Sequence, residues 1–196
     1  MKNYTAIMVG GILLLIISNS LFAEDNKYIE KTEDSIHTIE SNKQSIIQQA
    51  KICIIKHVKN DSVVLIGTSS GVSGLFGVGK RRESTTVIPQ GEVVKFIDKE
   101  SGIIFANSRI NIKADMIQYS VQSTINLYAK DNKFKIAHTE IMYLQKDVGY
   151  GSPDEYKKLP KKGHWGSSLV ETAVNGLNSL TKEIVSCIKS PVSTDW

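Results

Sequence analysis

Residues 117–144 read IQYSVQSTINLYAKDNKFKIAHTEIMYL, and this stretch decides the fold class. In its first half Val121, Ser123, Ile125, Leu127 and Ala129 alternate with Gln122, Thr124, Asn126 and Tyr128. A period of two turns the first set toward a core and the second toward solvent, so Ile117–Lys130 is expected to be a half-buried strand. Asp131-Asn132 then supplies two residues that tolerate positive φ, and Lys133–Leu144 is expected to return antiparallel. Upstream, Val93–Asp98 and Ile103–Ile112 read as a second hairpin around Lys99-Glu100-Ser101-Gly102, and Ile36–Glu40 as a short strand.

Such a sheet has one apolar face that needs cover, and two segments have the spacing to provide it. Ser41 and Gln44 make a capping box for a helix running to about Lys59, with Ile46, Ile47, Ala50, Cys53, Ile54 and Val58 recurring at helical spacing. Ser168 and Glu171 make a second capping box, and Val170, Ala173, Val174, Leu177, Leu180, Ile184, Cys187 and Ile188 line one side of the helix that follows, up to Pro191. The expected fold is α+β: a five-stranded antiparallel sheet with two helices on one face, in the order β-α-β-β-β-β-α. Between the first helix and the meander, Val63–Ile66 suits a strand. Gly67, Gly71, Gly74, Gly77 and Gly79 oppose regular structure, so the rest of the stretch to Gly91 is expected to be a long loop or irregular hairpin, with segment 67–79 its glycine-rich part. Residues 145–166, with Gly149, Gly151, Pro153, Pro160 and Gly163, read as a second exposed loop.

The 196 residues hold 24 Lys+Arg against 20 Asp+Glu, 41% hydrophobic and 22% charged residues, which excludes collagen, low-complexity disorder and a polytopic membrane protein. A net charge of +4 is too small to argue for nucleic acid. Residues 1–23 carry Lys2 as their only charge, then an apolar run from Ala6 to Ile17, then Ser18-Asn19-Ser20-Leu21-Phe22-Ala23. This is the pattern of a secretory signal peptide cleaved after Ala23; the other reading is a retained membrane anchor, which the interruption of the apolar run by Ser18, Asn19 and Ser20 disfavours. The expected organisation is a leader over 1–23, a flexible linker over 24–35, one α+β domain over 36–190 and a tail over 191–196. The expected location is periplasmic or secreted.

Export permits disulfides. Cys53 and Cys187 both belong to the mature chain and both sit on apolar helix faces. Two helices on one sheet face would bring them into one layer, so a Cys53–Cys187 bridge is preferred; the other reading is two small buried hydrophobic residues.

The element order, with Ala50-Lys51-Ile52-Cys53-Ile54, Asp98-Lys99-Glu100-Ser101-Gly102-Ile103 and Ala129-Lys130-Asp131-Asn132-Lys133-Phe134-Lys135, resembles the secreted bacterial domain-of-unknown-function family 4468, which has a TATA-binding-protein-like (TBP-like) fold. The resemblance covers residues 36–144. In that family the last segment tends to carry glycine where this chain has Asn132, arginine where it has Lys135, and tryptophan at the place of Cys53. The resemblance implies the fold and brings no activity with it. It gives no warrant for DNA binding.

The chemistry on offer is sparse. Gly74-Leu75-Phe76-Gly77-Val78-Gly79-Lys80 has the spacing of a phosphate-binding loop, but Arg81 stands where a hydroxyl is needed for magnesium and no helix follows; no nucleotide or other cofactor is expected. His37, His57, His138 and His164 lack zinc spacing, and His138 shares strand parity with Phe134 and Ile136, as a structural histidine does. Asp98, Asp131 and Glu140 form no recognisable acid–base pair. What remains is contact chemistry: Leu75 and Phe76 beside Lys80, Arg81 and Arg82 in one loop, and His164-Trp165 near Lys161 and Lys162 in the other. The expected function is a non-enzymatic binding module of the bacterial cell envelope, contacting an envelope protein or an anionic envelope surface. The alternative is a hydrolase-like enzyme with a cleft near His138 or His164.

Overall fold

In the computed structural model, residues 27–33, 35–70, 81–89, 91–148, 155–161 and 167–190 are described. The elements run β1 (Lys31–Glu33), β2 (His37–Thr38), α1 (Lys43–His57), β3 (Val63–Ser70), β4 (Arg81–Ile88), β5 (Val94–Asp98), β6 (Ile103–Ala114), β7 (Ile117–Lys130), β8 (Lys133–Gln145), β9 (Asp147–Val148), β10 (Lys157–Lys158) and α2 (Ser167–Lys189). The leader, the tail, and Leu75, Phe76, Lys80, His164 and Trp165 lie outside the described residues.

The β7–β8 hairpin closes as its sequence implies: Lys130 faces Lys133 and Asn132 takes φ 62°, a left-handed value that asparagine tolerates. The turn is also latched to the start of α1. The Lys43 N–H donates to Asp131 Oδ1 at 2.8 Å, and the Asn132 N–H to the Ser41 carbonyl at 2.9 Å. The helix cap differs from the expected Ser41–Gln44 box. Asn42 is the N-cap, accepting the Ser45 N–H on Oδ1 at 2.9 Å, because the Ser41 carbonyl is already engaged with the hairpin turn. At α2 the expected Ser168 cap also fails: the helix begins at Ser167, and the Ser168 hydroxyl bonds Asp115 Oδ2 in the β6–β7 turn.

The main sheet has the order β1-β8-β7-β6-β5, with β2 and β10 also paired to β8. The four strands of the expected meander are present as β5–β8, and the short strand expected at 36–40 is present as β2. Two shorter ones are added where Lys31 faces Thr139 and Lys157 faces Tyr143. Residues 28–33, expected within a flexible linker, are therefore tied to the sheet, with the Ile29 N–H on the Leu159 carbonyl at 2.8 Å. The expected loop at 145–166 likewise returns to the sheet through β10 and the buried Leu159. Of the two readings of the glycine-rich stretch, long loop or irregular hairpin, the described residues on either side of 71–80 form the hairpin. β3 and β4 pair antiparallel from Val63↔Ile88 to Ser70↔Arg81, and β9 joins β3 in parallel to complete a separate three-stranded sheet.

Both helices cover one face of the main sheet. Ile46, Ile47, Ala50, Cys53 and Ile54 of α1 pack with Leu180, Ile184 and Ile188 of α2 over Ile104, Ala106, Ile125, Leu127, Phe134 and Ile136. The first half of α2 packs over Ala114, Val121 and Ile141. One extra residue in β8 makes this possible. Glu140 takes φ 52° in a bulge opposite Ser123, so both His138 and Ile141 reach the helix side despite their odd spacing. Cys53 and Cys187 are bonded, with Cα atoms 5.8 Å apart, as the preferred reading of the sequence had it.

Candidate functional site

His138 belongs to the packing between sheet and α2. Its Nδ1 lies 2.9 Å from Ser123 Oγ and its Nε2 lies 2.9 Å from Thr181 Oγ1, and Ser123 Oγ lies 2.6 Å from Ser108 Oγ. The residue is 1% exposed, so the serine–histidine contact has no route for substrate and reads as a satisfied polar network within the core. The carboxylates are similarly occupied in separate places. Asp98 Oδ1 accepts the Glu100 and Ser101 N–H groups at 2.9 and 3.0 Å, and its carboxyl is held below the usual aspartate value by the Ser101 hydroxyl first, then by the Ser101 and Glu100 N–H groups, against a smaller opposing effect of burial. Asp131 caps α1, and Glu140 Oε2 accepts the Thr124 hydroxyl at 2.7 Å. Among the described residues no group of three His, Cys, Asp or Glu side chains is placed to hold a metal ion.

Two surface features carry more chemistry. The first is the β3–β4 hairpin. Val63 and Leu65 anchor it against Leu144, while their neighbour Val64 and its cross-strand partner Val87 stay 47% and 56% exposed. Arg81 and Arg82 open β4 opposite Ser70 and Ser69, so the hairpin ladder runs up to the basic cluster, and residues 71–80 join its two ends.

The second is a cavity of about 290 Å³ beside β6, lined by His57, Lys59, Asp61, Arg109, Ile110, Asn111 and Leu180. Arg109 Nη1 donates to the Asp61 carbonyl at 2.6 Å, but its Nε is buried and has no hydrogen-bond partner. A buried donor left unmatched costs about 1–3 kcal/mol, more when charged, which makes this atom an exception to explain. Lys146 senses the same neighbourhood: burial and then the positive charge of Arg109 lower its pKa, with Asp61 opposing. At the rim, His57 Nδ1 lies 3.4 Å from Glu183 Oε2.

No protein-family model and no curated protein matches the chain. Solved structures do. A TBP-like protein from Parabacteroides distasonis matches with a TM-score of 0.51 at 13% identity, over 82% of this chain and 92% of its own. A DUF4468 family protein from Bacteroides ovatus matches with a TM-score of 0.50 at 10% identity, over 86% of this chain and 96% of its own. The fold is TBP-like. Both neighbours are of the kind the short motifs resemble, and at these identities the likeness is one of fold.

On the TBP-like scaffold the motif positions do structural work. Asn132 adopts the left-handed conformation that glycine would take, and Lys135 lies over the Tyr128 ring at 5.4 Å. Of the residues singled out from sequence, the structure joins Cys53 to Cys187 and sets Arg81 and Arg82 at the start of β4. The Arg109 cavity has no counterpart among the residues singled out from sequence. Its one sequence signal is that Arg109 is the only arginine outside the Arg81-Arg82 pair, on a strand position between Asn107 and Asn111.

Proposed function

We propose that the chain is an exported, non-enzymatic binding module of the bacterial cell envelope, with the end of the β3–β4 hairpin as its contact element. The observation that carries this reading is the hairpin itself: two paired eight-residue strands, about 26 Å long at normal strand rise, anchored at one end. They expose the Val64–Val87 pair and lead to a segment that combines Leu75 and Phe76 with Lys80, Arg81 and Arg82. An apolar cluster flanked by positive charge suits an anionic envelope surface or an acidic groove on an envelope protein. The leader-like residues 1–23 and the Cys53–Cys187 bridge both favour a compartment outside the cytoplasm.

The pairing of Ser70 with Arg81 suggests the test. Replacing residues 71–80 by Asn-Gly closes the hairpin with a two-residue turn and leaves its ladder intact. Stability should change by no more than about 0.5 kcal/mol, as for other surface changes, while crosslinked envelope adducts disappear. A shortened protein that retains every adduct contradicts the reading.

A further inference from the structure

The outer half of β6 is a sheet edge. β5 pairs with residues 103–106 only, and Asn107 is held beside it by its N–H on the Val93 carbonyl at 2.7 Å and its side chain on the Glu92 carbonyl at 3.0 Å. Beyond Asn107, among the described residues, β7 is the one strand paired with β6. The 290 Å³ cavity opens along this edge, where the chain leaving α1 and Leu180 of α2 form the other walls.

Arg109 is fastened in place yet only partly used. With Nη1 on the Asp61 carbonyl, its remaining edge presents Nε–H and one Nη2–H in parallel, the spacing that two oxygens of one planar anion match. Nε has no acceptor in the protein and no contact with water in this side-chain position, so an oxygen from the cavity meets it once the guanidinium turns outward about its Nη1 bond. Lys59 lines the same cavity and Lys146 feels the Arg109 charge, so the surroundings lean positive. Asp61, also in the lining, disfavours a multiply charged phosphate, which would bring more negative charge than one fork neutralises.

We propose that this cavity is a carboxylate-binding site, in which Arg109 Nε–H and Nη2–H grip the two carboxylate oxygens and Lys59 adds a second positive charge. The carboxylate belongs either to a small free acid or to the C-terminus of a peptide, whose backbone the open β6 edge is able to pair. The site is distinct from the hairpin end, and the two readings stand or fall separately.

The test follows the arginine Nε–H resonances of the isotope-labelled, disulfide-bonded protein, with Arg81→Lys and Arg82→Lys used to assign the Arg109 signal. Three probes are titrated: succinate, a pentapeptide with a free C-terminus, and the same peptide as its C-terminal amide. The Arg109 Nε–H signal should move saturably with at least one acid and stay still with the amide. The acid that saturates at the lower concentration identifies the source. Arg109→Lys keeps the charge but loses the fork and should weaken binding by about tenfold or more. An Nε–H signal that ignores both acids, or that responds equally to the amide, overturns the proposal without relying on any cavity variant.

Discussion

Reducing the Cys53–Cys187 bond perturbs the two-helix layer at one point. The bond joins residues 134 positions apart, so the oxidised unfolded chain is a closed loop spanning most of the domain. For a loop of that length the chain-entropy relation gives about 5 kcal/mol of stabilisation. Against a typical total of about 5–15 kcal/mol, its loss removes a third or more of the stability. The native packing itself is less dependent on the bond, since Gln49 Nε2 still ties α1 to α2 through the Ser190 carbonyl at 2.6 Å and the Cys187 carbonyl at 3.3 Å. The reduced protein is therefore expected to fold, with native circular dichroism and an unfolding midpoint lower by roughly 10–20 °C. In urea its midpoint should fall while its m-value rises, because the open unfolded chain exposes more surface than the closed one. Mass spectrometry of unreduced protein should show the bridge as a deficit of about 2 Da. Coincident midpoints with and without reductant, in protein shown to carry the bond, would refute the reasoning from loop length.

Four further outcomes follow from named contacts. Gly102 has φ +72°, and a Cβ there would lie 2.3 Å from the Ala129 carbonyl oxygen, so Gly102→Ala should cost about 2–3 kcal/mol in urea unfolding. Gly176→Ala meets side-chain carbons, Ile110 Cδ1 at 2.7 Å and Ile112 Cγ2 at 3.4 Å, and gains helix propensity, so its net change should stay below about 1 kcal/mol; equal costs for the two glycines would contradict this. Thr181→Val removes the hydroxyl 2.9 Å from His138 Nε2 inside the core and should destabilise by about 1–3 kcal/mol, whereas a neutral result would mean that the network is not needed. Burial and Arg109 lower the Lys146 pKa from 10.5, so between the native value and 10.5 the unfolded state binds more protons and stability rises with pH across that window. Below the native value the destabilisation is present in full; Lys146→Met should flatten the slope, and an unchanged slope would count against the burial of Lys146.

The sheet and helix layer could be read from residues 117–144 and the two amphipathic segments because alternation, turn chemistry and helical spacing agreed there. β7 has the bounds expected, Ile117 to Lys130. Elsewhere competing local signals or distant partners decided. Ser41 and Asn42 are both good caps, and the choice fell to Asn42 once the hairpin turn took the Ser41 carbonyl. β1 and β10 are two or three residues long and exist through pairing with β8, which no local pattern announces. In β3 and β4 the glycine and basic content masked a ladder whose β-branched half, Thr85-Thr86-Val87-Ile88, was visible in the sequence. The Arg109 cavity gathers side chains from the α1 exit, β6 and α2, so only the folded chain brings them together.

The proposed binding role meets its most direct test in intact cells. A photo-crosslinking residue is placed at Val87 on the exposed hairpin face and, in a separate strain, at Ile52 on the exposed side of α1. Adducts with an envelope component from position 87, absent from position 52 and abolished when residues 71–80 are replaced by Asn-Gly, are the predicted result. No adduct from position 87, or the same adducts from both positions, would contradict a hairpin-borne contact.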